Sequence, residues 1–461
     1  MDEDNTPRPD GHTMPSVAGT LTRGGSDGTP RAIMRSSNEE YTDLGLRVLA
    51  GALPADLKGH AFISGPRVHQ GTPALSSNGV VYRVDLDGDA GAKLSSSAMR
   101  TAGYYVRRAV DRLGYLKRLL VDHRLHEFRP IGLGEFSLTL GAQELPNTAP
   151  ILIPKSGRML VTTDAGRPWQ IDPATLRALS PLGYLREWKA ALDLPWMLPL
   201  LQTTAHATVD PHTEDLYISN HAPDALFCRP FTHLCRWRES DPQVRHWNIV
   251  DAATGAEVTV QTLHHLAITR NYVILLDSDF PVDLPEAMAA LVSPWIPLSP
   301  ALVERLTAPE TSAVMTVWVV RKADLVDAPA TLTPDAPPTV KAQRFTLGAG
   351  GLHFAIEYED HDGQRLRVVV SHTPSEDLTH VLRAGEPLVN GGTVPDYLDG
   401  MLTPVPIIRG QIGVHEIDVR TGMVDSRLHA SDLYTWGIAV FTHAGLIPGE
   451  LGTLRQEART T

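Results

Sequence analysis

From Leu53 onward, the apolar positions fall into short runs separated by turn residues. Gly79-Val-Val-Tyr-Arg-Val-Asp85 leads into Asp87-Gly88, and Gly157-Arg-Met-Leu-Val-Thr-Thr163 leads into Ala165-Gly166. Tyr272 to Asp277, Met315 to Arg321 and Leu366 to Ser371 repeat the pattern. Runs of this length, rich in β-branched residues and bounded by Gly, Asp and Pro, predict strands. Many strands at spaced intervals predict an all-β sandwich, barrel or propeller. Helical periodicity is confined to Ala109 to His126, Tyr184 to Leu192 and Leu284 to Thr307. The last is interrupted by Pro294, Pro297 and Pro300, each of which removes an amide donor. These stretches are expected as a few helical insertions covering one face of a β scaffold. Residues 1–38 are rich in Gly, Pro, Ser, Thr and charge. They bury too little apolar surface to offset the entropy of ordering, so a flexible tail is expected there, with residues 39–461 as the β domain.

One turn phrase recurs loosely. Asp164-Ala-Gly-Arg-Pro-Trp-Gln-Ile-Asp-Pro-Ala-Thr-Leu176, Val209-Asp-Pro-His-Thr-Glu-Asp-Leu-Tyr217 and His415-Glu-Ile-Asp-Val-Arg-Thr-Gly422 each set an acidic residue before a Pro- or Thr-containing turn. Such phrases suit the hairpins of propeller blades and of antiparallel sheets generally. No short repeat of the WD or Kelch kind accompanies them. Asp85, Asp87 and Asp89 imitate part of a calcium loop, yet Ala90 stands at the glycine position and Ser96 at the closing glutamate, so a hairpin turn is expected. His415-Glu416 is followed by Val419 where a zinc-protease motif needs histidine.

Composition narrows the classes. The chain has 461 residues, 42% of them hydrophobic, enough for a large core. Its formal charge of -12 and sequence pI of about 5.9 argue against a nucleic-acid partner, which needs a concentrated basic surface. The acidic start, Met-Asp-Glu-Asp, does not read as a signal peptide, and no apolar run approaches the roughly 20 residues of a membrane span. With only Cys228 and Cys235, a disulfide framework is excluded and a cytoplasmic setting is expected.

The candidate chemistry lies in three histidines far apart in sequence, each at the head of a strand-like segment. They are His206 in Thr-Thr-Ala-His-Ala-Thr-Val-Asp-Pro, His264 in Leu-His-His-Leu-Ala-Ile-Thr and His353 in Leu-His-Phe-Ala-Ile-Glu-Tyr-Glu-Asp. Neutral imidazoles bind Zn, Cu, Fe or Ni, and ligands drawn from distant strands need a fold that gathers strand ends at one centre. A β-propeller does that. A histidine at a strand start is otherwise a hydrogen-bonded structural residue, and the chain has 19.

Taken in order, several phrases resemble the carotenoid oxygenase (carotenoid cleavage dioxygenase) family between about residues 50 and 440. They are Leu53-Pro-Ala-Asp-Leu-Lys-Gly59 with Ser64-Gly-Pro66, Pro146-Asn-Thr148, Asp164-Ala-Gly-Arg-Pro-Trp169 with Asp172-Pro-Ala-Thr-Leu176, and the three histidine phrases. The resemblance implies a seven-bladed β-propeller with ferrous iron (Fe2+) held on its axis by four histidines. It implies His206, His264 and His353 as ligands. His264 is favoured over His265 by the family's spacing to Ala267-Ile-Thr269, and strand alternation lets only one of the two face the axis, leaving the other to point away or bond the backbone. His353 stands one residue further from Tyr358-Glu359 than the family pattern, with Phe354 at the matching place. The resemblance implies glutamates orienting three of the ligands, and Asp164 occupies one such position with a shorter side chain. The nearest match to the fourth ligand is His443 in His443-Ala-Gly-Leu-Ile-Pro448. The family's Glu-Phe-Pro segment has no counterpart between His353 and His443, and Thr435-Trp-Gly-Ile-Ala-Val440 reads like a blade that precedes the last ligand. The last blades are therefore expected to be missing or rebuilt.

The implied activity is iron(II)-dependent dioxygenase cleavage of a conjugated double bond in a carotenoid, apocarotenoid or stilbene-like substrate, giving carbonyl products. The alternative is a degenerate propeller without a complete iron site that binds an apolar ligand or a partner protein; a third reading is a zinc hydrolase using three histidines and a water. An apolar substrate needs an apolar entrance. Leu194-Pro-Trp-Met-Leu-Pro-Leu-Leu201 and Met288 to Leu302, with Trp295, are candidates for it, either as a patch dipping into a membrane surface or as buried connectors.

Overall fold

The structure, a computed structural model, describes residues 39–67, 76–112, 128–130, 134–193, 195–223, 229–277, 314–361, 363–372, 384–385, 387, 391–396 and 408–435. Strands β1 (Leu44–Leu46), β2 (Lys58–Pro66), β3 (Gly79–Asp87) and β4 (Gly91–Ala98) form one antiparallel sheet in the order β1-β4-β3-β2. Helix α1 (Ala102–Arg112) leads to a small sheet of β5 (Arg129–Pro130), β6 (Glu135–Ser137) and β7 (Gly141–Gln143). A second four-stranded meander comprises β8 (Pro150–Ile153), β9 (Arg158–Val161), β10 (Trp169–Ile171) and β11 (Ala178–Pro181). Two further meanders follow. One comprises β12 (Thr208–Val209), β13 (Leu216–Ala222), β14 (Phe231–Arg238) and β15 (Asp241–Asp251). The other comprises β16 (Leu266–Ile268), β17 (Tyr272–Asp277), β18 (Val314–Arg321) and β19 (Thr339–Ala349). A parallel β15–β19 ladder fuses these two into one eight-stranded sheet. The last described meander is β20 (Gly351–Ile356), β21 (Arg365–His372), β22 (Ile408–Asp418) and β23 (Val424–Thr435).

These five four-stranded units are stacked as blades. Leu266, Ile268, Val273, Leu275, Trp318 and Val320 face one interface, packed with Trp247 and Ile249 of the preceding unit. Their strand neighbours Ala267, Ile274, Leu276, Val317 and Val319 face the other, packed with Phe354, Leu366, Val368 and Ile417 of the next. A blade buried on both faces needs apolar residues at every position, hence the unbroken runs at 272–276 and 317–320. Similar cores join β2–β4 to β8–β11 and β8–β11 to β12–β15. The first strands lie against one another in succession: β2 on β8, β8 on β12, β12 on β16 and β16 on β20. This radial arrangement is the β-propeller class expected from the sequence.

The turn phrases behave as read. Asp172, Asp210 and Asp418 each accept hydrogen bonds from backbone amides two residues on, closing their hairpins. Asp87 does the same for Asp89 and Ala90, so the Asp-rich stretch is a hairpin turn. His415 lies within strand β22.

The helices depart from expectation. The first begins at Ala102, seven residues ahead of Ala109, and residues 113–127 lie outside the described residues. Gly103 lies in its first turn: a Cβ on it would sit 2.9 Å from the Gln143 side chain, so glycine lets the helix approach β7. Tyr184 to Leu192 holds only one 3-10 turn, Leu185–Glu187. Beyond it the backbone amides bond Asn220 Oδ1 (2.8 Å, from Lys189) and the Leu200 carbonyl (2.8 Å, from Ala191), leaving no helical ladder. Residues 1–38, His443, Met288 to Leu302 and the helix expected from Leu284 to Thr307 lie outside the described residues. Of the segment 195–201, Trp196 is 68% exposed, while Leu200 is buried between the small sheet and β13–β14 and Leu201 in the core joining β8–β11 to β12–β15. Among the described residues no helix is long and apolar enough to cross a membrane.

Candidate metal centre

Three first strands bring the histidines together. His206 enters β12, His264 enters β16 and His353 sits in β20. The heads of β12 and β16 are tied by the backbone: His206 N–H donates to the His264 carbonyl (3.0 Å) and Leu266 N–H to the His206 carbonyl (3.3 Å). In β20, Phe354 faces the core between blades at 1% exposure, so alternation turns His353 to the opposite side. The extra residue before Tyr358 therefore leaves His353 in the cluster and Phe354 out of it.

The three rings form a nearly threefold arrangement, with centroids 4.8, 4.9 and 5.0 Å apart and planes crossing at 76°, 75° and 73°. The Nε2 atom of His353 lies 3.2 Å from those of both His264 and His206, and candidate ligand atoms of all three fall within 4.8 Å of one another. One N–H cannot point along both directions at once. Two nitrogens about 2.1 Å from a common ion stand roughly 3.0 Å apart at a right angle and about 3.4 Å apart at a tetrahedral angle, so the observed spacing fits a shared cation.

Asp164 completes the cluster. Its Oδ1 lies 2.8 Å from His264 Nδ1, which makes His264 the Nδ1–H tautomer and leaves its Nε2 lone pair directed at the other rings. The shorter aspartate thus reaches its histidine. Thr203 holds the Asp164 turn, donating its N–H to the Asp164 carbonyl and its hydroxyl to the Thr163 and Gly166 carbonyls. Glu144, not singled out in the sequence, accepts Arg167 N–H and Nε–H and Trp169 Nε1–H, bracing the same Gly-Arg-Pro-Trp segment. Burial foremost, and then the neighbouring rings of His264, His353 and His265, hold the His206 pKa well below the usual histidine range. The imidazole is therefore neutral and able to bind a metal without proton competition.

His265 takes the backbone role anticipated for it: its Nδ1 accepts the Phe354 N–H at 3.3 Å, linking the head of β16 to β20. Burial brings its pKa down to about 3. His221 was not singled out from the sequence; its Nε2 accepts the Leu263 N–H at 3.4 Å and its Nδ1 meets Ser219 Oγ at 3.2 Å. It supports the turn into His264, and its signal, a histidine inside an apolar strand, is shared by His233 and His246, which lie outside the cluster.

The blades and their axial histidines define a carotenoid-oxygenase type of propeller. The family described as RPE65, retinal pigment epithelial membrane protein, matches residues 34–309, more than half of the chain, and the chain belongs to that family, within the carotenoid oxygenase superfamily. Among solved structures it is similar to an apocarotenoid oxygenase from Synechocystis carrying a glutamate-to-aspartate substitution, with 16% identity, TM-score 0.51, and coverage of 86% of this chain and 71% of that one. A threonine-to-alanine variant of the Synechocystis enzyme gives 15% identity and TM-score 0.52 with the same coverage, and an ACO/RPE65 chimera gives 16% and 0.50. At these identities the likeness shows the fold. No curated protein sequence matches the chain.

Proposed function

We propose that this chain is a non-haem iron(II) oxygenase that cleaves a conjugated double bond of a carotenoid, an apocarotenoid or a stilbene-like substrate. The observation that carries the reading is the convergence of three imidazole nitrogens on one point, with Asp164 fixing the tautomer of one of them. His206, His264 and His353 would hold the ion, His443 being the fourth candidate. Bound there, ferrous iron supplies the chemistry that activates dioxygen. The overall change adds one dioxygen to one C=C bond, breaks that bond and leaves each oxygen atom in one of two carbonyl products. The chain's own contribution is to orient the imidazoles and to position the polyene, so positioning would decide which bond is cut. A peripheral membrane contact through exposed Trp196 belongs to the same proposal, as a route for an apolar substrate.

The test is metal content of anaerobically purified protein, for wild type, His264→Ala and His443→Ala, followed by oxygen uptake with a carotenoid and stilbene panel. Near-stoichiometric iron, lost in His264→Ala, with carbonyl fragments and equimolar oxygen uptake, supports the reading. Isomerised product without oxygen uptake replaces cleavage with isomerisation, zinc alone points to a hydrolase, and no metal in wild type leaves a ligand-binding propeller. Iron retained in His443→Ala removes His443 from the ligand set.

A further inference from the structure

The strands that carry the three histidines are also clamped at their opposite ends. Asp210 follows β12, Thr269 follows β16, and Tyr358 and Asp360 follow β20. Each lies four to seven residues beyond its strand's histidine, on the order of 13–23 Å along extended chain. Lys322, just after β18, joins them: its Nζ donates to Asp210 Oδ2 at 2.5 Å and to the Thr269 carbonyl at 2.6 Å. The Tyr358 hydroxyl donates to Asp210 at 3.3 Å, and the ammonium stands 5.4 and 5.5 Å from the ring centres of Tyr217 and Tyr358. Asp360 accepts the Thr269 hydroxyl at 2.7 Å and the Asn271 amide at 2.9 Å, while Arg270 N–H donates to the Tyr358 carbonyl at 2.8 Å. The Lys322 side chain is 13% exposed and that of Asp210 4%.

We infer that Lys322 is a positioning residue for the histidine centre, fixing the mutual placement of β12, β16 and β20 from the far end. The inference rests on the metal reading above. Among the described residues, few hydrogen bonds join β12, β16 and β20: the His206, His264 and Leu266 backbone contacts and the His265 to Phe354 bond at the heads, the Thr208 hydroxyl to the Leu266 carbonyl beside them, and this latch at the tails. A tilt of one strand about its head contacts moves its imidazole relative to the other two. An ion needs all three nitrogens near 2.1 Å at once, so a shift of a few tenths of an ångström is felt in affinity and in coordination geometry.

The test uses the metal-free full chain titrated anaerobically with cobalt(II), whose visible absorption reports coordination geometry. Compared are wild type, Asp164→Ala, Lys322→Met and the double variant Lys322→Met with Asp210→Asn, which removes both charges of the Lys322–Asp210 pair. In both Lys322 variants we expect cobalt affinity to fall about tenfold, at the low end of what outer partners of metal ligands contribute, with an altered cobalt spectrum. A purely structural latch would lower the melting temperature and leave the spectrum unchanged. If the double variant folds and binds cobalt with wild-type affinity and spectrum, the inference is overturned, and this arm decides even if Lys322→Met unfolds. If wild type itself binds no cobalt, the metal reading fails, an outcome distinct from a latch that proves irrelevant in a metal-binding protein.

Discussion

The two ends of the same three strands are built on opposite principles. At the tails of β12, β16 and β20, an ammonium meets one carboxylate, and a second carboxylate is filled by a hydroxyl and amides, so each buried polar group has a complementary partner inside the protein. At the heads, three imidazoles turn their Nε2 atoms toward each other, with one carboxylate on the far nitrogen of His264. Where polar groups serve to hold blades together they pair with opposite partners. Where like groups converge on a point, the arrangement makes sense around a cation. Both ends sit on the same inner ring, and the difference between them is what the proposed metal centre at the heads would account for.

The comparison is broken most severely at the tail. Lys322→Met alone leaves Asp210 buried beside Tyr358 without its cation, and such half-pairs cost about 3–5 kcal/mol. Denaturant unfolding should register a loss of that size. Adding Asp210→Asn should recover most of it, because a neutral pair no longer needs a counter-charge. No recovery would mean that Lys322 acts through packing on Tyr217 and Tyr358 and not through charge.

Next in size is a pH dependence that belongs to the scaffold. Burial raises the pKa of Glu135, on β6, to about 7 despite Arg107 at 2.8 Å, and that of Asp277, at the end of β17, to about 7. A carboxyl whose folded pKa lies above its unfolded value binds its proton more tightly in the folded state. Its contribution is therefore fully present below about pH 4 and is lost as pH rises through 7, on the order of 3 kcal/mol for each group. Melting temperature should fall between pH 5 and pH 8, and Glu135→Gln with Asp277→Asn should flatten that slope. An unchanged slope in the double variant would place the dependence elsewhere.

At the head, Asp164→Ala should weaken cobalt binding about 10–100-fold, the effect of removing a carboxylate that orients a ligand, with little change in melting temperature. Isothermal titration of the two proteins checks it. A change below threefold would show that the His264 tautomer is fixed by other contacts.

Much of this was legible in the chain. The segments 272–277 and 315–321 predicted strands, and the meaning of their unbroken apolar cores at 272–276 and 317–320, burial on both faces, emerges only when blades stack on either side. The three histidines could be picked out because each stands near the start of a strand within a matching phrase. Glu144, Thr203 and His221 could not, because each acts through a contact made by folding: Glu144 reaches Arg167 and Trp169 from 23 and 25 residues away. Lys322 was equally silent, since a lone lysine after a strand reads as a solvated end until Asp210, 112 residues earlier, is seen beside it. The helix starts ahead of the stretch whose periodicity marked it, and Gly103, near its start, packs closely against β7.

The smallest expected effect on the metal gives the sharpest reading of the heads. His264 and His265 are adjacent, both buried, both beside His206 and His353, so burial and proximity do not tell them apart. Their nitrogens do. The Nε2 of His264 faces the cluster and its Nδ1 faces Asp164, whereas Nδ1 of His265 is taken up by the Phe354 amide. Replacing His265 with alanine leaves a buried N–H without its acceptor and empties a buried site, so stability should fall by about 1–3 kcal/mol. Cobalt binding should survive, weakened no more than by loss of the Lys322 latch, while His264→Ala abolishes it. If His265→Ala also lost the metal, the pair would be acting as a unit, and the division of labour that strand alternation imposes on neighbouring side chains would fail at the position where it was applied.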